Sequence, residues 1–136
     1  MRAVIDTNIL IRALIKPRGT VGPILEQLSA GRYVAIYSEA LLTEWLAKLA
    51  LPRIRTKYHL DDAAIETTLA LFAIRGELVK PTRQIKACRD PNDDMLIEAA
   101  LAGAAQYIVT GGEDLLVLKD FETIRIVPPR VFLAAL

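Results

Sequence analysis

The chain has 136 residues, 53% hydrophobic and 24% charged, enough for one domain with its own core and too apolar for a disordered tail or a collagen-like repeat. Seventeen lysines and arginines stand against sixteen aspartates and glutamates, so bulk charge does not draw in a polyanion and any nucleic-acid contact must come from local patches. A single cysteine excludes an internal disulfide framework and fits a reducing compartment. No run of about 18 apolar residues offers a membrane span, and Asp6 and Arg12 interrupt the apolar start that a signal peptide would need.

Residues 3–5 form a short apolar run that stops at Asp6, the pattern of a buried central strand ending in a polar loop. Thr7-Asn8 opens a helix with Ile9, Leu10, Ala13 and Leu14 at helical spacing. Lys16-Pro17-Arg18-Gly19 breaks it, and a second helix with Ile24, Leu25 and Leu28 ends near Gly31. Residues 33–37 change period to a strand, and Ser38 caps a helix carrying Leu41, Leu42, Trp45, Leu46 and Leu49 up to Pro52. Arg53, Arg55, Lys57 and His59 make a basic connector, expected to be mobile or to face a partner, before Asp61-Asp62 opens a long helix reaching Arg75-Gly76. Leu78 and Val79 read as extended. Asp90-Pro91-Asn92-Asp93 opens a further helix, with proline at its first position, that runs to Gly103. Residues 107–109 read as a strand, 113–119 as a short helix, 123–127 as a strand and 131–136 as a final helical turn or two. Strands alternating with helices need crossover connections, so the expected architecture is α/β: one domain over residues 1–136, with a mainly parallel sheet covered by helices on both faces. Ligands in such folds gather beyond the carboxyl ends of the strands.

Chemistry-bearing residues fall at that edge. Asp6 follows the first strand, Asp114 follows the 107–109 strand, Glu44 lies in the helix after the second, and Asp90, Asp93, Asp94 and Glu98 cluster at the start of the helix before residue 107. Asp94 and Glu98 share a helix face. If Asp6, Glu44, Asp94 and Asp114 converge at about 4–5 Å, each pair repels by a few kcal/mol at an effective dielectric of about 20, so some must take a proton or a cation must sit among them. Oxygen ligands without histidine or cysteine select Mg²⁺ or Mn²⁺ over zinc. Plainer readings compete: Asp90 and Asp93 as an N-cap and its acidic first turn, Asp114 as a helix-terminal charge, Glu44 as a solvated helix residue. Asp6 resists such a reading, because a charge ending an apolar strand is costly without a partner. Cys88 reads as inert packing, His59 as surface, and Trp45 and Tyr37 as core.

Four segments in order, Val4-Ile5-Asp6-Thr7-Asn8-Ile9-Leu10, Ser38-Glu39-Ala40-Leu41-Leu42-Thr43-Glu44, Arg89-Asp90-Pro91-Asn92-Asp93-Asp94-Met95-Leu96 and Tyr107-Ile108-Val109-Thr110-Gly111-Gly112-Glu113-Asp114-Leu115-Leu116, resemble those of a PIN domain. The likeness covers essentially the whole chain and is nearest to the single-domain toxins of toxin–antitoxin systems. It implies a three-layer α/β/α sandwich and a cytoplasmic, homodimeric, Mg²⁺- or Mn²⁺-dependent endoribonuclease, with RNA as substrate and an antitoxin protein as partner. On the same ground Asp6, Glu44, Asp94 and Asp114 are the metal-binding and catalytic carboxylates, while Thr7, Asn8 and Thr110 support ligands or touch the scissile phosphate. Gly112 departs from the family, which commonly has aspartate there.

An acidic pocket needs basic groups around it if RNA is to approach. Arg12, one turn beyond Asn8, is the first candidate for phosphate, followed by Lys16 and Arg18 and by the cluster at Arg53, Arg55 and Lys57. Two other readings stand beside the nuclease. One is a catalytically degenerate PIN-like module that only binds RNA or protein; the other is a receiver-type signalling domain, disfavoured because Asp6 lacks an adjacent acidic partner and Thr110 is followed by glycines rather than lysine.

Overall fold

The computed structural model describes residues 1–136. Six strands form one sheet in the order β3-β2-β1-β4-β6-β5, with β1 at Arg2–Ile5, β2 at Val34–Ser38, β3 at Gly76–Val79, β4 at Tyr107–Val109, β5 at Asp120–Phe121 and β6 at Ile124–Val127. Every neighbouring pair is parallel except β5–β6. The helices are α1 (Thr7–Ile15), α2 (Pro23–Ser29), α3 (Glu39–Leu49), α4 (Pro52–Lys57), α5 (Asp62–Arg75), α6 (Pro91–Ala102), α7 (Glu113–Leu116) and α8 (Pro129–Ala135). None is long and apolar enough to cross a membrane.

The two-residue period of the strands divides the core into two layers. Ala3, Ile5, Tyr33, Ala35 and Val109 face one cluster, packed by Ile9, Leu28, Trp45, Phe72 and Phe132 of α1, α2, α3, α5 and α8. Val4, Ile36, Ile108 and Ile126 face the other, packed by Leu96, Ile97 and Ala100 of α6 and by Leu115 of α7. Helices on both faces of a mostly parallel sheet make the expected three-layer α/β/α arrangement. At Gly103, just past α6, an added Cβ would lie 2.4 Å from Ile36 Cγ2, so glycine lets the helix end close against β2.

Two segments differ from the sequence expectation. The basic connector is partly helical: Pro52 stops α3 and also starts α4, since proline suits the first helical turn. The short helix expected over 113–119 ends at Leu116, and Asp120–Phe121 returns as β5 against β6 through a turn in which Glu122 has φ 53°.

Candidate active site

The parallel strands β1, β2, β4 and β6 bring their carboxyl ends to one edge, and backbone hydrogen bonds continue the ladder beyond them: the Asp6 N–H donates to the Val109 carbonyl at 2.9 Å and the Thr110 N–H to that of Val127 at 3.0 Å. Asp6 is thereby held at the start of α1, which it caps. Its Oδ1 accepts from the Asn8 N–H at 3.1 Å, and the partial positive charge of the helix N-terminus favours the carboxylate. Its Oδ2 accepts from the Thr110 hydroxyl at 2.7 Å, whose oxygen in turn accepts from the Gly112 N–H at 3.0 Å. Thr110 and Thr7 are both buried, so this end of the site is rigidly supported.

Across from Asp6, α3 presents Glu44. The Lys48 Nζ one turn further along lies 3.1 Å from Glu44 Oε1 and donates to Asn8 Oδ1 at 3.1 Å, tying α3 to α1. The third wall is the start of α6, where Asp90 caps the helix by accepting from the Asn92 N–H at 2.9 Å and Asp93 follows in the first turn. Asp6, Glu44, Asp90 and Asp93 line one cleft of about 90 Å³, with Lys48 its only cationic side chain. That space suits a small ion with part of its hydration shell. Burial pushes the Asp93 carboxyl above the ordinary carboxylate range, and the charges of Asp90, Asp6, Asp114 and Asp94 add to the shift.

Asp94, the expected third carboxylate, lies outside the cleft. Its Oδ1 accepts from the Ala87 N–H at 3.0 Å and the Cys88 N–H at 2.9 Å, while Glu98 on the same helix face accepts from the Ile85 N–H at 2.9 Å. Together they pin the irregular strand-to-helix segment onto α6. Adjacent helical residues point about 100° apart, so with Asp94 turned to that segment it is Asp93 that faces Asp6. Asp114 opens α7 beside the cleft rather than in its wall, 3.9 Å from Arg89 Nε, and its charge still reaches Asp93. Thr7 and Asn8 line the cleft; Arg12 is exposed on α1 and does not. Cys88 is no nucleophile: burial, its hydrogen bond with Asp94 and the charges of Asp94, Asp93 and Asp114 push its thiol up to about 12.

Sequence reasoning passed over Lys48 and assigned Asp93 to helix capping. The signal for Lys48 was its place four residues after Glu44, which puts both on one face of α3. No three of the Asp, Glu, His and Cys side chains stand close enough to enclose a metal ion as they are arranged. The donor set nevertheless fits a hard cation, since all the cleft's carboxylates are oxygen donors and the raised Asp93 marks negative charge that lacks compensation.

The PIN domain family model matches residues 2–114. The chain belongs to the PIN-domain family. PIN domains are generally nucleases, and the matched region of this one runs from β1 through Asp114, taking in every cleft carboxylate. The PIN domain is 34% identical over 120 residues to the uncharacterized protein MJ1680 of Methanocaldococcus jannaschii, an alignment covering 88% of this chain and 76% of that one. Its fold is similar to a chain in the crystal structure of VapBC2 from Rickettsia felis bound to a DNA fragment from their promoter. The TM-score is 0.59 at 17% identity, covering 93% of this chain and 97% of the other. At Gly112 an added Cβ would meet only Thr110 Oγ1, at 3.5 Å, so the backbone there leaves room for a side chain to start.

Proposed function

We propose that this PIN domain is a metal-dependent endoribonuclease, with Asp6, Glu44 and Asp93 as the inner carboxylates and Asp114 at the rim. The observation that carries the reading is that Asp6, Glu44 and Asp93, from three separate elements, converge on one cleft at the carboxyl edge of the sheet. These residues would hold Mg²⁺ or Mn²⁺, which when bound supplies a water of lowered pKa and offsets charge on the phosphate. The chain's own part is placement. Thr110 and the Asn8 N–H fix both oxygens of Asp6, while α3 and the N-terminus of α6 carry Glu44 and Asp93 to the same cleft. Asp94 serves as a positioning residue for the 85–88 segment. Phosphate contacts fall to Asn8 and Lys48 within the cleft, to Arg89 beside Asp114 and, outside the cleft, to the exposed Arg12 of α1.

RNA is the substrate in this reading, the protein works in the cytoplasm as a homodimer, and a toxin role would require an antitoxin covering the acidic mouth. Incubation of end-labelled RNA with the protein and Mn²⁺ or Mg²⁺ tests the central claim. Cleavage is expected, with loss on adding EDTA and in Asp6→Asn and Asp93→Asn. RNA retained on the protein without cleavage under any ion condition would leave only a binding module.

A further inference from the structure

A glutamate and a lysine four residues apart on a helix usually form a solvent-facing pair that contributes little. Glu44 and Lys48 are turned inward instead. The Lys48 ammonium is held at two points, 3.1 Å from Glu44 Oε1 on its own helix and 3.1 Å from Asn8 Oδ1 on α1, two residues beyond Asp6. The side chains of Lys48 and Glu44 are 36% and 21% exposed, so the pair sits in the cleft mouth and not on an open helix face. Around it stand Asp6, Glu44, Asp90 and Asp93, and the cleft wall has no other cationic side chain.

An ammonium is a compact single charge that takes up carboxylate lone pairs, and the one it takes here, on Glu44 Oε1, is among those a hard cation would use. The two cannot share that oxygen geometry closely, and a dication placed among these carboxylates repels a neighbouring ammonium. We propose that Lys48 is the resident counter-cation of the cleft and that a divalent ion must displace it from Glu44, so that Lys48 sets the threshold of metal occupancy. This rests on the reading that the cleft takes a hard dication.

Mn²⁺ titration of the full chain by calorimetry, without nucleic acid, tests it on wild type, Lys48→Met, Lys48→Gln and Lys48→Arg, each verified as folded by circular dichroism. Removing the charge in the Met and Gln variants is expected to tighten Mn²⁺ binding by about tenfold at low ionic strength, while Arg, which keeps it, stays near wild type. Mn²⁺ binding that is equal or weaker in the charge-free variants overturns the role of Lys48 and leaves the metal reading standing. Absence of Mn²⁺ binding in wild type and variants alike overturns both.

Discussion

The Thr110 hydroxyl donates to Asp6 Oδ2 at 2.7 Å across 104 residues of sequence, joining the ends of adjacent parallel strands at the point where the candidate chemistry sits. Thr110 is completely buried, and its oxygen also accepts from the Gly112 N–H. Thr110→Val keeps the shape but frees Asp6 to rotate and leaves that N–H without its partner. A stability loss of about 1–3 kcal/mol is expected by urea unfolding, with RNA cleavage reduced by about tenfold or more.

Asp93 and Asp94 are chemically identical neighbours with opposite expected phenotypes. Asp93→Asn removes a carboxylate held among like charges, so it should abolish ion-dependent cleavage while the metal-free protein unfolds at the same or higher urea concentration. Asp94→Asn weakens two hydrogen bonds from the Ala87 and Cys88 N–H groups to a buried carboxylate, for an expected loss of about 1.5–3 kcal/mol. Paired cleavage and unfolding measurements on the two variants check this; equal effects would remove the distinction.

The raised Asp93 carboxyl also sets a pH dependence. Folding disfavours its ionised form, so its penalty is absent below the unfolded carboxylate pKa of about 4, builds as pH rises through the higher folded value, and persists at neutral pH. In EDTA the stability advantage of Asp93→Asn over wild type is therefore expected to be largest near pH 7 and to vanish below about pH 4. Urea unfolding of both proteins at the two pH values gives the difference directly, and an advantage that grows toward acid would contradict the assigned charge environment.

Gly112 has ordinary backbone angles, φ −81° and ψ 127°, and stands at the N-cap of α7. Since its added Cβ meets only Thr110 Oγ1 at 3.5 Å, Gly112→Asp should fold without strain. It should also improve the α7 cap by a few tenths of a kcal/mol. The added carboxylate is expected to raise Mn²⁺ affinity by about tenfold, read by calorimetry, and to lower the ion concentration needed for cleavage. Unaltered affinity would show that this position lies outside the reach of the ion.

Much of this was legible in the residues. The stops at Asp6, Ser38 and Thr110 after short apolar runs mark strand ends, and the helices between them force parallel pairing, which places all three at one edge. Less legible was the β5–β6 hairpin, whose Glu122-Thr123 turn carries no Asn-Gly or Asp-Gly signal although Glu122 takes the left-handed φ. The α4 helix was hidden for another reason: six residues rich in arginine and lysine, with none buried, offer no apolar stripe to read.

The sequence by itself determined the alternation of elements, the edge at which Asp6 stands and the oxygen-only character of its acidic neighbours, because these follow from local period, caps and residue type. Only the tertiary structure decided which carboxylate of α6 faces inward and that Lys48 crosses to Asn8. Buried residues on α6 are Asp94, Leu96, Ile97, Ala99 and Ala100, spread around the helix, so its pattern names no single inward face. The rotation of the helix is set instead by Leu96 and Ile97 packing into the core layer and by the 85–88 segment that Asp94 and Glu98 hold, contacts between residues that no local window contains.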